Sequence, residues 1–517
     1  LSENEVPDVG GDIDAASKFP LLQIFLLYLV GKAAFRRHCL YRDKILPEGE
    51  GNGVTDFASK ARKAGFLPLG LVPLFLAVFL LADSIEPAGA QAASNSARFE
   101  GVATCAGSTC HGRAEGNGEI VRQDEIASWQ EPSSSTGAHS RAYAALASPR
   151  GKKIAANLGL GPAAAAPACL GCHATYVSPA RQGPRFQTSD GVGCETCHGA
   201  SSNWLASHYA APATHASNVA NGLTPLERPE VSAKVCLDCH FGSSDTGQFV
   251  SHSMMAAGHP RVVFELDLFT ALQQHYDVDA DYVARKGTPN SVRMWAVGQA
   301  EAVRRSTDLF AQDKFGTEGM FPEYYFFDCH SCHREIKDGP QANRTFETNP
   351  GRPIPFGLAP YNDENIIMLS AVSRALVPGR AASFDAASKD FHRAMGQGRP
   401  QAAAAAQKLR GEAAALSGAL AQRSYSGNDA FTVVAAIAGT ATSPRFTDYA
   451  GSAQAVMAVD TLLNAMVREG RITVGAAAGI RANINRAYGA VRNPETYRPA
   501  EFRSALGRAA GAIGALR

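Results

Sequence analysis

The chain runs to 517 residues with 49 basic and 48 acidic side chains. That balance excludes an electrostatic case for nucleic acid or for an anionic membrane surface. The length predicts more than one domain and a core that needs no disulfide scaffold.

Residues 1–53 hold a short apolar stretch, Phe19 to Val30, too short to span a bilayer, and then Arg36, Arg37 and His38. The chain begins with Leu and its first Met is Met254. The expectation is that residues 1–53 are an over-extended reading frame and that translation starts at Val54. Residues 60–92 read as a secretory signal within a leader over 54–90. Lys60, Arg62 and Lys63 form its positive start, Gly65 to Ala82 is almost wholly apolar, and Ala88-Gly89-Ala90 and Ala90-Gln91-Ala92 are small-residue cleavage sites. The competing reading is a membrane anchor, since roughly 18 to 20 apolar residues suffice to span. Pro68 and Pro73 inside the run and the cleavage sites after it favour removal, with no membrane span in the mature form.

Residues 99–340 carry five cysteine pairs, each followed at once by histidine. Four have a two-residue gap: Cys169/Cys172/His173, Cys194/Cys197/His198, Cys236/Cys239/His240 and Cys329/Cys332/His333. The remaining one, Cys105/Cys110/His111, has a gap of four. In C-x-x-C-H the thiols add to the two haem vinyl groups and the adjoining imidazole becomes an iron ligand. Ten of the 11 Cys lie in these motifs, and the other, Cys39, falls in the leader. Zinc ribbons also use C-x-x-C pairs, but a closed zinc site takes four ligands and gives no reason for a His after every second Cys. Five haem c groups are the expected cofactors, and their covalent attachment agrees with export to the periplasm.

Residues 341–360, with Asn349-Pro350-Gly351, Pro353, Pro355 and Pro360, read as a connector. Residues 361–517 contain no Cys, one His and Ala-rich stretches of helical period. Val456, Val459, Leu463 and Met466 mark one apolar face, and Ile480, Ile484 and Tyr488 another. The run Ala402 to Ala406 reads as helix because Leu409, Leu416 and Leu420 continue it. The fold class expected is mainly α: a multihaem cytochrome c module of short helices and long loops, followed by an antiparallel helical subdomain packed on it.

A haem protein's chemistry depends on the sixth iron position. A second His there favours electron transfer, and an empty position permits reaction with small molecules. Eight His remain beyond the motifs and the leader: His139, His208, His215, His252, His259, His275, His330 and His392. His252-Ser253-Met254-Met255 and His259 supply two candidates close together, with the methionines as rival ligands or as packing. His215 reads as a surface-loop residue, His330 is trapped between two anchoring cysteines, and His392 lies on a C-terminal helix.

The stretch from about 99 to 285 resembles the tetrahaem cytochrome c-554 family. The likeness rests on Trp129 followed by His139-Ser140-Arg141-Ala142-Tyr143, on Gly191-Val192-Gly193-Cys194-Glu195-Thr196-Cys197-His198-Gly199 followed by His208, and on Phe264-Glu265-Leu266 leading to His275-Tyr276. The resemblance implies a Trp-to-His helix after the first haem and distal ligands at His139, His208 and His275. It implies that the haem on Cys169, Cys172 and His173 is five-coordinate. The gap of four, the added motif at Cys329 to His333 and the C-terminal helices depart from the family, and His252 and His259 are free to serve the open haem or the added one. The expected function is a periplasmic electron carrier between redox protein partners. The alternative is a reductase or oxidase acting on a small nitrogen or sulfur compound at the open haem. A homo-oligomer through the C-terminal helices is a further reading.

Overall fold

The computed structural model describes residues 96–116, 121–315, 323–334, 352–354, 358–444, 446 and 448–517. The expected leader, its cleavage sites and most of the 341–360 connector lie outside the described residues. Among the described residues the fold is all α, with two isolated bridges, Phe99 to Gln182 and Phe327 to Tyr361.

The N-terminal region is a string of short helices. They are α1 Val102–Cys105, α2 Glu125–Gln130, α3 Ala142–Leu146, α4 Pro149–Asn157, α5 Pro167–His173, α6 Cys194–His198, α7 His215–Ala220, α8 Pro229–His240, α9 His252–Ala257, α10 Leu266–Leu272 and α11 Ala280–Lys286. Local signals set where they begin. Pro stands in the first turn of α4, α5 and α8, where its missing N–H and fixed φ cost nothing, and Ser148, Ser251 and Asp279 cap α4, α9 and α11 through their side chains. The expected helix from Trp129 to His139 is not continuous. α2 stops at Gln130, and His139 follows a single 3-10 turn at Thr136–Ala138. Pro132 explains the break, because its ring cannot continue a helix.

Long helices follow: α12 Ser291–Ala311, α13 Glu364–Leu376, α14 Pro378–Ala394, α15 Arg399–Gln422, α16 Asp429–Ala441, α17 Tyr449–Arg468, α18 Val474–Ala490 and α19 Pro499–Gly514. The alanine run is helical, as its neighbours imply. Along α15 the buried residues Ala402, Ala406, Leu409, Ala413, Leu416 and Leu420 form one stripe, which packs on α12. Val456, Val459, Leu463 and Met466 of α17 are all buried, as are Ile480 and Ile484 of α18. Each such Leu or Ile contributes roughly 1.5–3 kcal/mol by leaving water.

One continuous core runs from Leu237, Phe264 and Leu266 through Trp295 and Phe310 of α12 to Phe384, Phe391, Leu463 and Phe502. The N-terminal region thus shares in that core through α8 and α10, and also has a satellite of Leu146, Ala155, Ala163, Leu170 and Ala174. Polar contacts cross between the two regions as well. Gln454 Nε2 donates to Phe264 O at 3.1 Å, Thr461 Oγ1 donates to Glu265 Oε2 at 3.2 Å, and Arg468 pairs with Asp267 at 3.1 Å. Buried Glu265 also accepts from the N–H groups of Asp267 and Leu268 and so caps α10.

Candidate metal centres

The two-residue-gap motifs on α5, α6 and α8 lie inside helices, so one turn brings both cysteines and the histidine to one side. In the motif at Cys329 the capped 3-10 turn does the same, with His333 N donating to Cys329 O at 2.8 Å. The gap of four reaches an equivalent closure by looping out its extra residues. His111 N donates to Cys105 O at 3.2 Å across a turn in which Cys110 N donates to Gly107 O at 2.8 Å. The irregular spacing therefore leaves Cys105 and His111 in the same relation as in the regular motifs. All ten of these cysteines are free.

The likeness that the sequence implies among the four regular motifs does not extend to burial. On α5, α6 and α8 every motif cysteine is partly buried, as is Cys329, whereas Cys332 is exposed. The short turn is the cause. It ends at Ser331, so Cys332 stands just past it instead of inside a packed helix, with His333 exposed beside it. Cys332 is a surface thiol, and so is Cys110 of the first motif.

Every motif histidine faces one histidine from outside the motifs. The ring centres are 6.3 Å apart for His111 and His208, 6.2 Å for His173 and His259, and 6.1 Å for His198 and His275. They are 6.2 Å apart for His240 and His139, and 6.3 Å for His333 and His252. An iron held by two ring nitrogens at roughly 2 Å each requires ring centres about 6 Å apart. Aromatic rings also meet at such distances without a metal. The uniform spacing, at interplanar angles from 13° to 89°, is not what ring contact alone would impose. The residues therefore fit five haem irons.

The other three histidines are engaged elsewhere. His215 opens α7 and lies 2.9 Å from Glu227, so it is not a loop residue. His330 bonds the carbonyl of Pro494 and packs on Tyr497, and His392, buried on α14, lies 3.2 Å from Asp363. Met255 packs on the core. Opposite His173, where the resemblance implies an open position, stands His259. Arg150 and Asn157 of α4 hold the carbonyls of Gly258 and Ala257, at 2.7 and 2.9 Å, which fixes the chain just before that residue.

Hydrogen bonds orient the rings. Nδ1 meets a backbone carbonyl in His173 (Ala142, 2.8 Å), His259 (Pro260, 2.7 Å), His275 (Gln273, 2.7 Å) and His208 (Leu205). Such a bond leaves Nε2 free to bind metal. Gln273 meets His275 through its carbonyl, and its side-chain Nε2 donates to Ser135 O at 2.8 Å, close to His139 in the chain. His111 differs, with Nδ1 3.0 Å from Glu125 Oε2. Desolvation pushes His198 down to about 3 and His240 to about 4, while the bond to Glu125 pushes His111 up.

The stretch Gly191 to Gly199 is a clamp. Trp129 Nε1 donates to Val192 O at 3.1 Å and Val192 N donates to His139 O at 3.1 Å, so Val192 ties both residues in place. Gly191 has φ +77°, and a Cβ there would lie 2.7 Å from His139 O. Buried Glu195, between two motif cysteines, accepts from Glu100 N, Gly101 N and Ser201 N at 2.8 to 2.9 Å and anchors the start of α1. The second and fourth motifs also meet: Cys239 Sγ donates to Gly171 O, between Cys169 and Cys172, at 3.7 Å.

Sequence reading missed Glu125, Glu195 and Gln273. Glu195 carried a signal, as a carboxylate inside a motif. The other two are brought to their histidines by loops. Among the described residues no group of three or more His, Cys, Asp or Glu side chains converges on a bare metal ion, the arrangement a zinc ribbon needs.

The family described as cytochrome c554 and c-prime matches residues 104–199, under a fifth of the chain. No curated protein matches. No solved structure matches. The segment from Thr104 to Gly199, with its first three motifs, is thus similar to that family, which connects the chain to haem and electron transfer.

Proposed function

We propose that the chain is a periplasmic multihaem c-type cytochrome that carries electrons between redox partners. Its motif cysteines would anchor five haem c groups, with axial pairs His111/His208, His173/His259, His198/His275, His240/His139 and His333/His252. The observation that carries this reading is the partition of the histidines. Each motif histidine meets one outside histidine at 6.1–6.3 Å, and the three left over are bound to other groups. Haem groups held this way supply one-electron iron chemistry with both axial positions taken, which favours electron transfer over small-molecule reactions.

The chain's own contacts support an order for the sites. Glu195 of the third motif holds the backbone at the start of the first motif's helix, Cys239 of the fourth motif lies 3.7 Å from Gly171 O in the second, and α8 packs on both α5 and α6. The short helix α9 begins at His252 and is followed by His259, so one segment serves the fifth and second sites. A line running first, third, fourth, second, fifth follows. In this reading residues 99–340 are the electron-carrying module and 361–517 a scaffold, with α12 packed into the scaffold's core. Export rests on the signal over residues 60–92. No helix among the described residues is long and apolar enough to cross a membrane.

Low-temperature electron paramagnetic resonance of the oxidised holoprotein tests the reading. Only low-spin signals, unmoved by nitrite or nitric oxide, are expected, and the reduced protein is expected not to bind carbon monoxide. A high-spin signal that shifts with an added ligand would favour a reductase or oxidase.

A further inference from the structure

We propose that Glu125 sets the first haem site at the low-potential end of the array, giving electron flow a direction away from it; this rests on the ligand pairs above. Glu125 stands in the first turn of α2, and its Oε2 lies 3.0 Å from His111 Nδ1. The contact is built in, because Ile126 N, the next residue along, donates to His111 O at 3.0 Å. Backbone and side chain of His111 are thus both held by the start of α2. With Nε2 committed to iron, Nδ1 carries the proton and donates it toward the carboxylate.

Four of the other axial histidines meet neutral partners: His173, His208, His259 and His275 bond carbonyl oxygens of the backbone. Among the described residues His111 is the one axial histidine bonded to a carboxylate. A carboxylate accepting Nδ1–H gives the ring anionic character and makes it a stronger donor to iron. A stronger donor stabilises Fe(III) relative to Fe(II), so the site takes up an electron at a lower potential than its neighbours. The first site also lies at one end of the proposed line, where Cys110 is exposed and Tyr209, stacked edge-on against His208, is 75% exposed. An electron arriving there would run downhill toward the inner sites.

Glu125 is a positioning residue, and its test is a potential. The full holoprotein and its Glu125→Gln and Glu125→Asp variants are titrated spectroelectrochemically, with the first site followed through its own paramagnetic resonance signal. In Glu125→Gln the lowest of five one-electron components is expected to move up while the other four stay, and Glu125→Asp is expected to restore it. An unmoved lowest component, or an equal shift of all five, would overturn the inference. Should Glu125→Gln lose the first haem, nuclear magnetic resonance of the reduced wild type decides. A His111 Nδ1 proton well downfield of those of the other axial histidines supports the inference, and one among them refutes it. Wild type lacking five low-spin haems would instead sink the ligand assignment itself.

Discussion

His173 and His259 face each other edge-on, with ring centres 6.2 Å apart and planes at 89°. This pair stands at the site where the family resemblance implied an open iron, and in the proposed reading it closes that site. Replacing His259 should therefore create what the wild type lacks. In His259→Ala a high-spin signal worth one haem is expected, together with carbon monoxide binding at one site in five. Resonance spectra of the oxidised variant and optical spectra of the reduced variant before and after gas addition check this, and a variant that stays wholly low-spin would show another residue at that position.

The ring angles make a second prediction. Near-parallel imidazoles split the two iron orbitals they share, and crossed imidazoles leave them nearly equal in energy, which gives a highly anisotropic low-spin signal. The pairs at 72°, 89° and 85° belong to the crossed class, and those at 13° and 33° to the parallel class. Quantified spectra of the oxidised protein should contain three haems of the first kind and two of the second.

The three histidines outside the pairs should be silent. His215→Ala and His330→Ala are expected to leave spin state and haem content unchanged, because their partners are Glu227 and the carbonyl of Pro494. Loss of a low-spin haem in either variant, read by resonance and mass, would redraw the pairing.

Much of this was legible in the residues, and the reason is physical. Attachment chemistry needs its cysteines and histidine adjacent in the chain, so the motifs are written locally. Helical period marked the faces of α15, α17 and α18 for the same reason. Burial is not local, and spacing alone could not separate exposed Cys332 from the cysteines held in helices. Which distal histidine meets which iron depends on loops closing over long separations, as between His139 and His240. A family likeness pointed to His139, His208 and His275, each of which faces a motif histidine, and implied an open second site, where α4 and α9 bring His259 opposite His173. Glu125 was invisible because nothing local distinguishes it from a solvated carboxylate on a helix start.

Stability should fall as pH rises through the neutral range. Burial first, and then the charge of Asp267, pushes the Glu265 carboxyl from its ordinary 4.5 up to about 8, despite bonds from Leu268 N, Asp267 N and Thr461. A folded-state value above the unfolded one means that the protonated form is favoured. Its stabilisation is full below 4.5 and is lost as pH climbs through about 8. Each unit is worth about 1.4 kcal/mol, so the change reaches a few kcal/mol. Melting temperatures measured across this range should slope downward in wild type and more gently in Glu265→Gln. The slope should not vanish, since Asp328 is also raised, to about 7.

The intact mass of the purified mature protein tests the central claim most directly. The account predicts a polypeptide carrying five covalent haem masses, with digestion placing one on each cysteine pair, including the widely spaced Cys105 and Cys110 and the pair of Cys329 with exposed Cys332. A bare polypeptide, one loaded with zinc, or one joined by disulfides at these cysteines would contradict it.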